Sequence, residues 1–544
     1  MNAIHFRRRQ GGAIMLSLPV LFCSVALCVP ATARAAKTEV VPKWDRLELV
    51  FKSSSAYENP FQDCKLTATF VSPSGKTNSV DGFWDGGRTW RVRFSPGQPG
   101  HWTYRTWCSD FGNDGLDNQS GEFICSAPVG LTRFDQHGPV RLAADHRHFE
   151  HADGTPFFWL ADSAWGGPRF SSERDWEGYA AVRASQKFSA VQWSVIGPDS
   201  RHETAFTGSD RIAVNPDFFQ RLDGKVKTLN EVGLLSVMAP SWLRSGQTLS
   251  ALPESQLALL FRYMVARWGA NDVAWLLVPL SGTTSGWRSA AETAFHRGTN
   301  SPVILLANDV DDVADMKWVD AYGYTSGQNP GDDGWRKLVA RLGSEETPQS
   351  GHALVDVIPP YENAASSRTG ERISADDMRR VTWQTLLAGS AAGASYGADG
   401  VAYWNTTPQD APRGTPGRGL PVWQLSLFLP GAKQAAEVMD FFNSIPFWNL
   451  KPASDVVAGQ SNSVSPDQFI AAAETGSKDL AVVYVPDERR LELNLNALPS
   501  SPTVQWFNPR TGQRSPAVAV VGGSSFQVPT PGPGDWVLVI KKGK

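Results

Sequence analysis

The sequence predicts a multi-domain chain: a central (β/α)8 TIM barrel flanked by an N-terminal immunoglobulin-like β-sandwich and a small C-terminal β-sandwich. Three observations predict it. Period-two alternation fills the stretch from Trp44 to about Cys125, short apolar strands then alternate with longer helical stretches from about His137, and alternation returns after Gln468. At 544 residues the chain is too long for one ordinary core.

The sandwich strands read as Leu47-Glu48-Leu49-Val50-Phe51, Leu66-Thr67-Ala68-Thr69-Phe70, Thr89-Trp90-Arg91-Val92-Arg93-Phe94 and Trp102-Thr103-Tyr104-Arg105-Thr106, separated by Pro/Gly turns such as Ser72-Pro73-Ser74-Gly75-Lys76. Eight barrel strands are expected at Phe157–Ala161, Phe188–Ser194, Leu234–Ala239, Val273–Pro279, Val303–Ala307, Val319–Tyr322, Ala353–Ile358 and Gly400–Trp404. Helices between them include Asp175–Gln186 and Glu254–Trp268, where apolar residues recur at helical spacing. A loop from Pro408 to Pro421 leads to a helix from about Gly431 to Asn443, and the closing strands include Leu480–Tyr484, Leu491–Leu495 and Trp536–Ile540. The domains therefore divide as 1–35, a leader; 41–128, the sandwich; 137–450, the barrel; and 451–544, the final β-domain.

The leader is a signal peptide by pattern: Arg7, Arg8 and Arg9, an apolar run from Ala13 to Val29, then Ala33-Arg34-Ala35. A membrane anchor would need about 20 apolar residues, more than this run supplies. Export implies a secreted or periplasmic protein with no span after cleavage. Of five cysteines, Cys23 and Cys28 leave with the leader; Cys64, Cys108 and Cys125 remain. Cys108 and Cys125 flank a Gly/Asp/Asn-rich segment and are the expected disulfide pair, with one thiol left over.

A net charge of -3 offers no basic field for nucleic acid. No CxxC, HExxH or clustered histidines point to a metal, and no cofactor is expected. The 21 Trp against 10 Tyr suit a sugar-binding surface, since an indole stacks on the apolar face of a sugar ring and its N–H bonds a hydroxyl. Trp165, Trp193, Trp242 and Trp404 fall at or beyond the expected ends of strands one, two, three and eight, where they line a cleft or seal the core.

Three sets of motifs carry a family resemblance. Tyr57-x-Asn59-Pro60-Phe61, Asp81-Gly82-Phe83-Trp84-Asp85-Gly86 and Pro99-Gly100-His101-Trp102-Thr103-Tyr104 resemble the sandwich that precedes many bacterial glycosidase barrels. Asp153 to Trp165 (DGTPFFWLADSAW), Pro360-Tyr361-Glu362 and Ser395-Tyr396-Gly397-Ala398-Asp399-Gly400 resemble the apiosidase-like glycoside hydrolase family. Leu429-Pro430-Gly431, Phe441-Phe442-Asn443-Ser444 and Trp506 to Gly512 (WFNPRTG) are similar to a β-domain that relatives carry under a collagen-binding label.

The resemblance implies glycoside cleavage by two carboxyl groups at strand ends, about 5–5.5 Å apart for retention or about 6.5–9.5 Å for inversion. Where the family closes strand four in Gly-Gly and an acid, this chain has Val278-Pro279-Leu280; where it closes strand seven in Glu-Pro-x-Tyr-Glu, this chain has Ile358-Pro359-Pro360-Tyr361-Glu362. Leu280 and Ile358 therefore occupy the expected acid positions. Asp162 and Glu362 are the candidate substitutes, Asp162 also being the position that contributes to the sugar site in relatives. Tyr361, beside Glu362, is a candidate sugar contact, and each of the three has a scaffold alternative: a cap or structural role for Asp162, loop buttressing for Tyr361 and Glu362. Asp356 is expected on the face of Ile358, one layer deeper by roughly 7 Å. Ser281 offers a hydroxyl, and Asp399, Asp309, Asp199 and Glu203 read as loop residues. The partner is an oligo- or polysaccharide. Two functions stay open, with adhesion through the β-domains as a third: hydrolysis of polysaccharide side chains, or carbohydrate binding by a pseudo-glycosidase without turnover.

Overall fold

The computed structural model describes residues 39–543 except 198–203, 242–248, 281–285, 297–299, 309–315, 317, 328, 333, 343–351, 390–391, 408–421, 461–463, 499–500 and 521–524. The segment expected as a leader, with Cys23 and Cys28, lies outside the described residues, among which no helix is long and apolar enough to cross a membrane.

Alternation folds the first domain as expected. Leu66, Ala68 and Phe70 point inward from a five-stranded sheet ordered Glu39–Pro42, Ser120–Ser126, Gly100–Cys108, Leu66–Val71, Thr77–Asp81. A three-stranded sheet of Leu47–Lys52, Thr89–Phe94 and Phe83–Trp84 faces it. Phe70 stacks on Phe94 with ring centroids 4.1 Å apart, so the core is aromatic as well as aliphatic.

The cysteines do not pair as expected. Cys125 stands opposite Gly100, whereas Cys108 ends the same partner strand eight residues on, about 26 Å away at the rise of an extended chain. Cys108 instead has its Sγ 3.3 Å from the Sγ of Cys64.

The barrel closes through eight parallel strands: β1 (Trp159–Ser163), β2 (Ala190–Ile196), β3 (Leu235–Ser241), β4 (Val273–Leu277), β5 (Val303–Leu306), β6 (Ala321–Thr325), β7 (Ala353–Ile358) and β8 (Gly393–Tyr396). Alternate side chains fill the axis, among them Ala161, Ala190, Val237, Leu276, Ile304 and Val355; the intervening ones, such as Val191, Trp275 and Leu305, pack under the helices. A small sheet of Val140–Leu142, Phe149–His151 and Pro156–Phe157 caps the bottom, its Phe149 ring 5.2 Å from Trp159.

One strand differs from the sequence expectation. Gly400–Trp404, expected as strand eight, forms the short helix Asp399–Ala402 and the turn after it, while Gly393–Tyr396 pairs with β1. An apolar run buried all round has no period that separates strand from helix. The true strand is poor in large residues because it crosses the crowded start of β1: Gly393 has φ +147°, and a Cβ there would lie 2.1 Å from the Trp159 carbonyl oxygen.

Helices α1 (Glu173–Ser185), α2 (Pro216–Glu231), α3 (Glu254–Trp268), α4 (Ala375–Ala388) and α5 (Pro430–Asn443) pack around the strands and hold the buried charges of the barrel and its domain junctions. Ser172 caps α1 by accepting from the Asp175 amide. The last domain is a six-stranded sheet with a two-stranded partner, joined to α4 by a bidentate Arg379–Asp535 ion pair with both N–O distances 2.7 Å. Trp383 of α4 lies parallel to Tyr484 across the same junction.

Candidate functional site at the C-terminal end of the barrel

Strand parity decides what faces the barrel axis where the βα loops leave. From β1, β2 and β8 it brings Ser163, Gln192 and Ser395 together: the Gln192 amide donates to Ser163 Oγ (2.8 Å) and to the Val357 carbonyl (2.6 Å), and Ser395 Oγ donates to Gln192 Oε1 (3.3 Å). Trp165, beyond β1, donates its indole N–H to Tyr361 Oη at 2.7 Å. All five side chains are buried, so a neutral hydrogen-bonded layer forms the floor of the barrel mouth. Sequence reasoning misses Ser163, Gln192 and Ser395. A glutamine inside the otherwise apolar Ala190-Val191-Gln192-Trp193 is the available signal.

Leu280 is 7% exposed and lines a narrow apolar crevice with Phe261, Leu277, Trp287 and Ala291; Ile358 is 8% exposed and joins the axial cluster beside Tyr361. Neither has a titrating group. Asp356 does not share the face of Ile358: Tyr324 of β6 pairs with Asp356 but Thr325 pairs with Ile358, so a bulge at Val357 breaks the alternation and turns Ile358 to the axis. Asp356 shares its face with Leu354, in the layer between barrel and helices, and accepts from the Ser326 amide at 3.2 Å.

Burial raises the Asp356 carboxyl to about 7, with the Ser326 bonds opposing. A carboxyl raised on folding contributes stability below its unfolded value near 4 and loses it as pH rises toward 7. Asp356→Asn should therefore raise stability at pH 8 by about 1–3 kcal/mol and change little at pH 4. Urea melts at the two pH values read this directly, and an equal effect at both would refute it.

The candidate carboxylates occupy scaffold positions. Asp162 neighbours the axial residues Ala161 and Ser163 in β1 and so faces the opposite way, into the helix layer, with 0% exposure. There it accepts from Tyr179 Oη (2.5 Å) and Arg183 Nε (2.6 Å), both on α1. Glu362 is also buried. It accepts from Tyr396 Oη (2.5 Å) and from the Gly431 amide (3.0 Å), which caps the start of α5. That contact explains the glycine of Leu429-Pro430-Gly431, since a Cβ would come within 2.4 Å of Glu362 Oε2. Burial raises the Glu362 carboxyl above its ordinary range.

The aromatic residues divide similarly. Trp165 is at the mouth. Trp193 faces outward, donating to Ser236 Oγ at 2.8 Å, and Trp404 stacks on Trp423 at 4.3 Å against Trp176 and Tyr179. Strand ends alone place both at the cleft; for Trp193 the parity is opposite, and for Trp404 the strand is a helix. Trp242, Asp199, Glu203, Ser281 and Asp309 lie outside the described residues. Asp399 is buried just beyond β8, 4.0 Å from Arg372, and desolvation raises it to about 6. Among the described residues no three His, Cys, Asp or Glu side chains converge as metal ligands.

Serine, glutamine, tyrosine and indole groups can hydrogen-bond sugar hydroxyls, but at neutral pH none is a ready proton donor or anionic nucleophile for glycoside cleavage.

The family model described as "Apiosidase-like, catalytic domain" matches residues 143–449. A domain of unknown function, DUF5060, matches 40–109, and a "Putative collagen-binding domain of a collagenase" matches 452–541. No curated protein matches the chain. Among solved structures, a Bacteroides vulgatus protein named a "putative glycoside hydrolase" is 19% identical, with TM-score 0.71 over 93% of this chain and 100% of that one. A glycoside hydrolase family 5 protein of the same bacterium is 17% identical, with TM-score 0.66 over 76% and 95%. A third, named a glycoside hydrolase, is 17% identical, with TM-score 0.64 over 76% and 99%. At such identities the likeness carries the fold.

Proposed function

The chain belongs to the apiosidase-like glycoside hydrolase family, and from that premise we propose that it is an exported carbohydrate-binding pseudo-glycosidase, which recognises polysaccharide side chains without cleaving them. The observation that carries this reading is the pairing of two losses: aliphatic side chains at both expected acid positions, Leu280 and Ile358, and scaffold bonds on both candidate substitutes, Asp162 and Glu362. Loss of either catalytic carboxyl normally removes most of the rate. Trp165 and the polar floor, buried and bonded to one another, keep the end of the barrel where the family's sugar site lies free of charge.

Residues 36–544 should release no reducing sugar from a panel of polysaccharides and aryl glycosides, yet bind at least one of those glycans in affinity electrophoresis. The competing reading, hydrolysis with recruited acids, has its candidate in Asp399, a buried carboxyl just beyond β8 that desolvation raises to about 6. Turnover that Asp399→Asn abolishes while the protein stays folded would overturn the pseudo-enzyme.

A further inference from the structure

We propose that Cys64 and Cys108 form a disulfide that locks the barrel-docking segment of the sandwich to its neighbouring strand, leaving Cys125 as the residual buried thiol. The two Sγ atoms lie 3.3 Å apart, inside van der Waals contact, and both residues are buried. Register makes the approach possible. Leu66 stands opposite Cys108, and the Ser109 amide donates to the Lys65 carbonyl, so Cys64 leaves its strand's start beside the end of Gly100–Cys108. Cys125, on the next strand opposite Gly100 at the far end, turns its Sγ toward the Ser126 carbonyl at 3.6 Å.

The bond would act on more than the sandwich core. Cys64 immediately follows the helical turn Pro60–Asp63, which reaches the barrel: Asn59 Nδ2 and Gln62 Nε2 both donate to the Ile212 carbonyl (3.0 and 2.9 Å), and Phe61 meets Tyr263 edge to face at 5.7 Å. A crosslink at Cys64 fixes the end of that turn. Contact with the Cys108 thiol, and then with the Tyr57 hydroxyl, lowers the Cys64 thiol from its ordinary value, which suits it to attack first.

With oxidised glutathione as the oxidant, the Cys64 thiolate attacks one glutathione sulfur and releases a glutathione thiolate. The Cys108 thiolate then attacks Cys64 Sγ and releases the second. One S–S bond breaks and one forms; two electrons pass to glutathione, and the two thiol protons to solvent. Because both thiols are buried, the exchange belongs to folding.

Refolding residues 36–544 in reduced and oxidised glutathione should give a chain about 2 Da lighter than the reduced one. It should retain a single thiol alkylated under denaturing conditions, with a crosslinked Cys64–Cys108 peptide after proteolysis. Three alkylated thiols, or a link through Cys125, would overturn the pairing. Cys125→Ser should keep the link; Cys64→Ser should abolish it and lower Tm by several degrees, as reduction of the wild type should. Formation of the bond in the cell rests on the export reading. A link that forms on refolding but is missing from cell-derived protein overturns export and leaves the pairing standing.

Discussion

Asp223→Ala should lower the stability of the whole chain by about 3–5 kcal/mol, the range for removing one member of a buried ion pair. Asp223, on α2, accepts two forks at once. Arg93 of the sandwich donates through both terminal nitrogens (3.1 and 2.7 Å), and Arg267 of α3 through Nε and NH2 (2.8 Å each). The Trp268 indole adds a fifth donor at 2.8 Å. Arg267 is fully buried and Arg93 nearly so. Without the carboxylate each guanidinium keeps only a share of its counter-charge, Glu48 for Arg93 and Asp85 for Arg267. Desolvation opposes the charge on Asp223, but the two guanidinium groups overcome it and hold the carboxyl below its ordinary range. A lowered carboxyl contributes stability above its unfolded value near 4 and loses it as pH falls. The gap between wild type and variant should therefore be widest at neutral pH and narrow below pH 4. Urea melts at pH 7 and pH 3 check both points, and a neutral-pH gap under about 1 kcal/mol would refute the assignment, since that is the range of a surface pair.

That network also marks the boundary of what sequence can reveal. Leu66, Ala68 and Phe70 announce their strand because alternation is local, and α3 occupies the range expected for it because its apolar spacing is local too. Arg93 and Asp223 are 130 residues apart, and nothing near either names the other. The same holds for Cys64 and Cys108, whose meeting depends on strand register, and for Gly393–Tyr396, whose small residues answer to Trp159 across the barrel. At the site, motif position alone picks out Leu280 and Ile358 as the expected acid positions. It does not locate the side-chain directions. Asp162 differs from its axial neighbours by one residue, enough to send it into the helix layer, and a one-residue bulge parts Asp356 from the face of Ile358. Local rules fail here because strand parity and register, not residue type, set which way these side chains point.

Asp162→Ala is the second large effect expected, and it separates scaffold from chemistry. Its partner Arg183 is fully buried, with Nε on Asp162 and NH1 on Gln186 Oε1 (2.6 Å) and the Leu427 carbonyl (3.0 Å). Alanine would leave that guanidinium with neutral acceptors only and should lower stability by about 3–5 kcal/mol, a large part of a typical domain's margin. If the contribution is that of a buried ion pair, the double variant Asp162→Leu/Arg183→Met should recover much of the loss, because an apolar pair of similar volume escapes the desolvation of two charges. The double-mutant cycle would then show coupling well above the roughly 0.5 kcal/mol of independent sites. Glycan affinity of the folded double variant should match wild type within a few-fold, since Asp162 has no surface through which to touch a ligand. Stability unchanged in Asp162→Ala, with glycan binding or turnover lost, would instead return Asp162 to the sugar site and remove half the support for a pseudo-glycosidase.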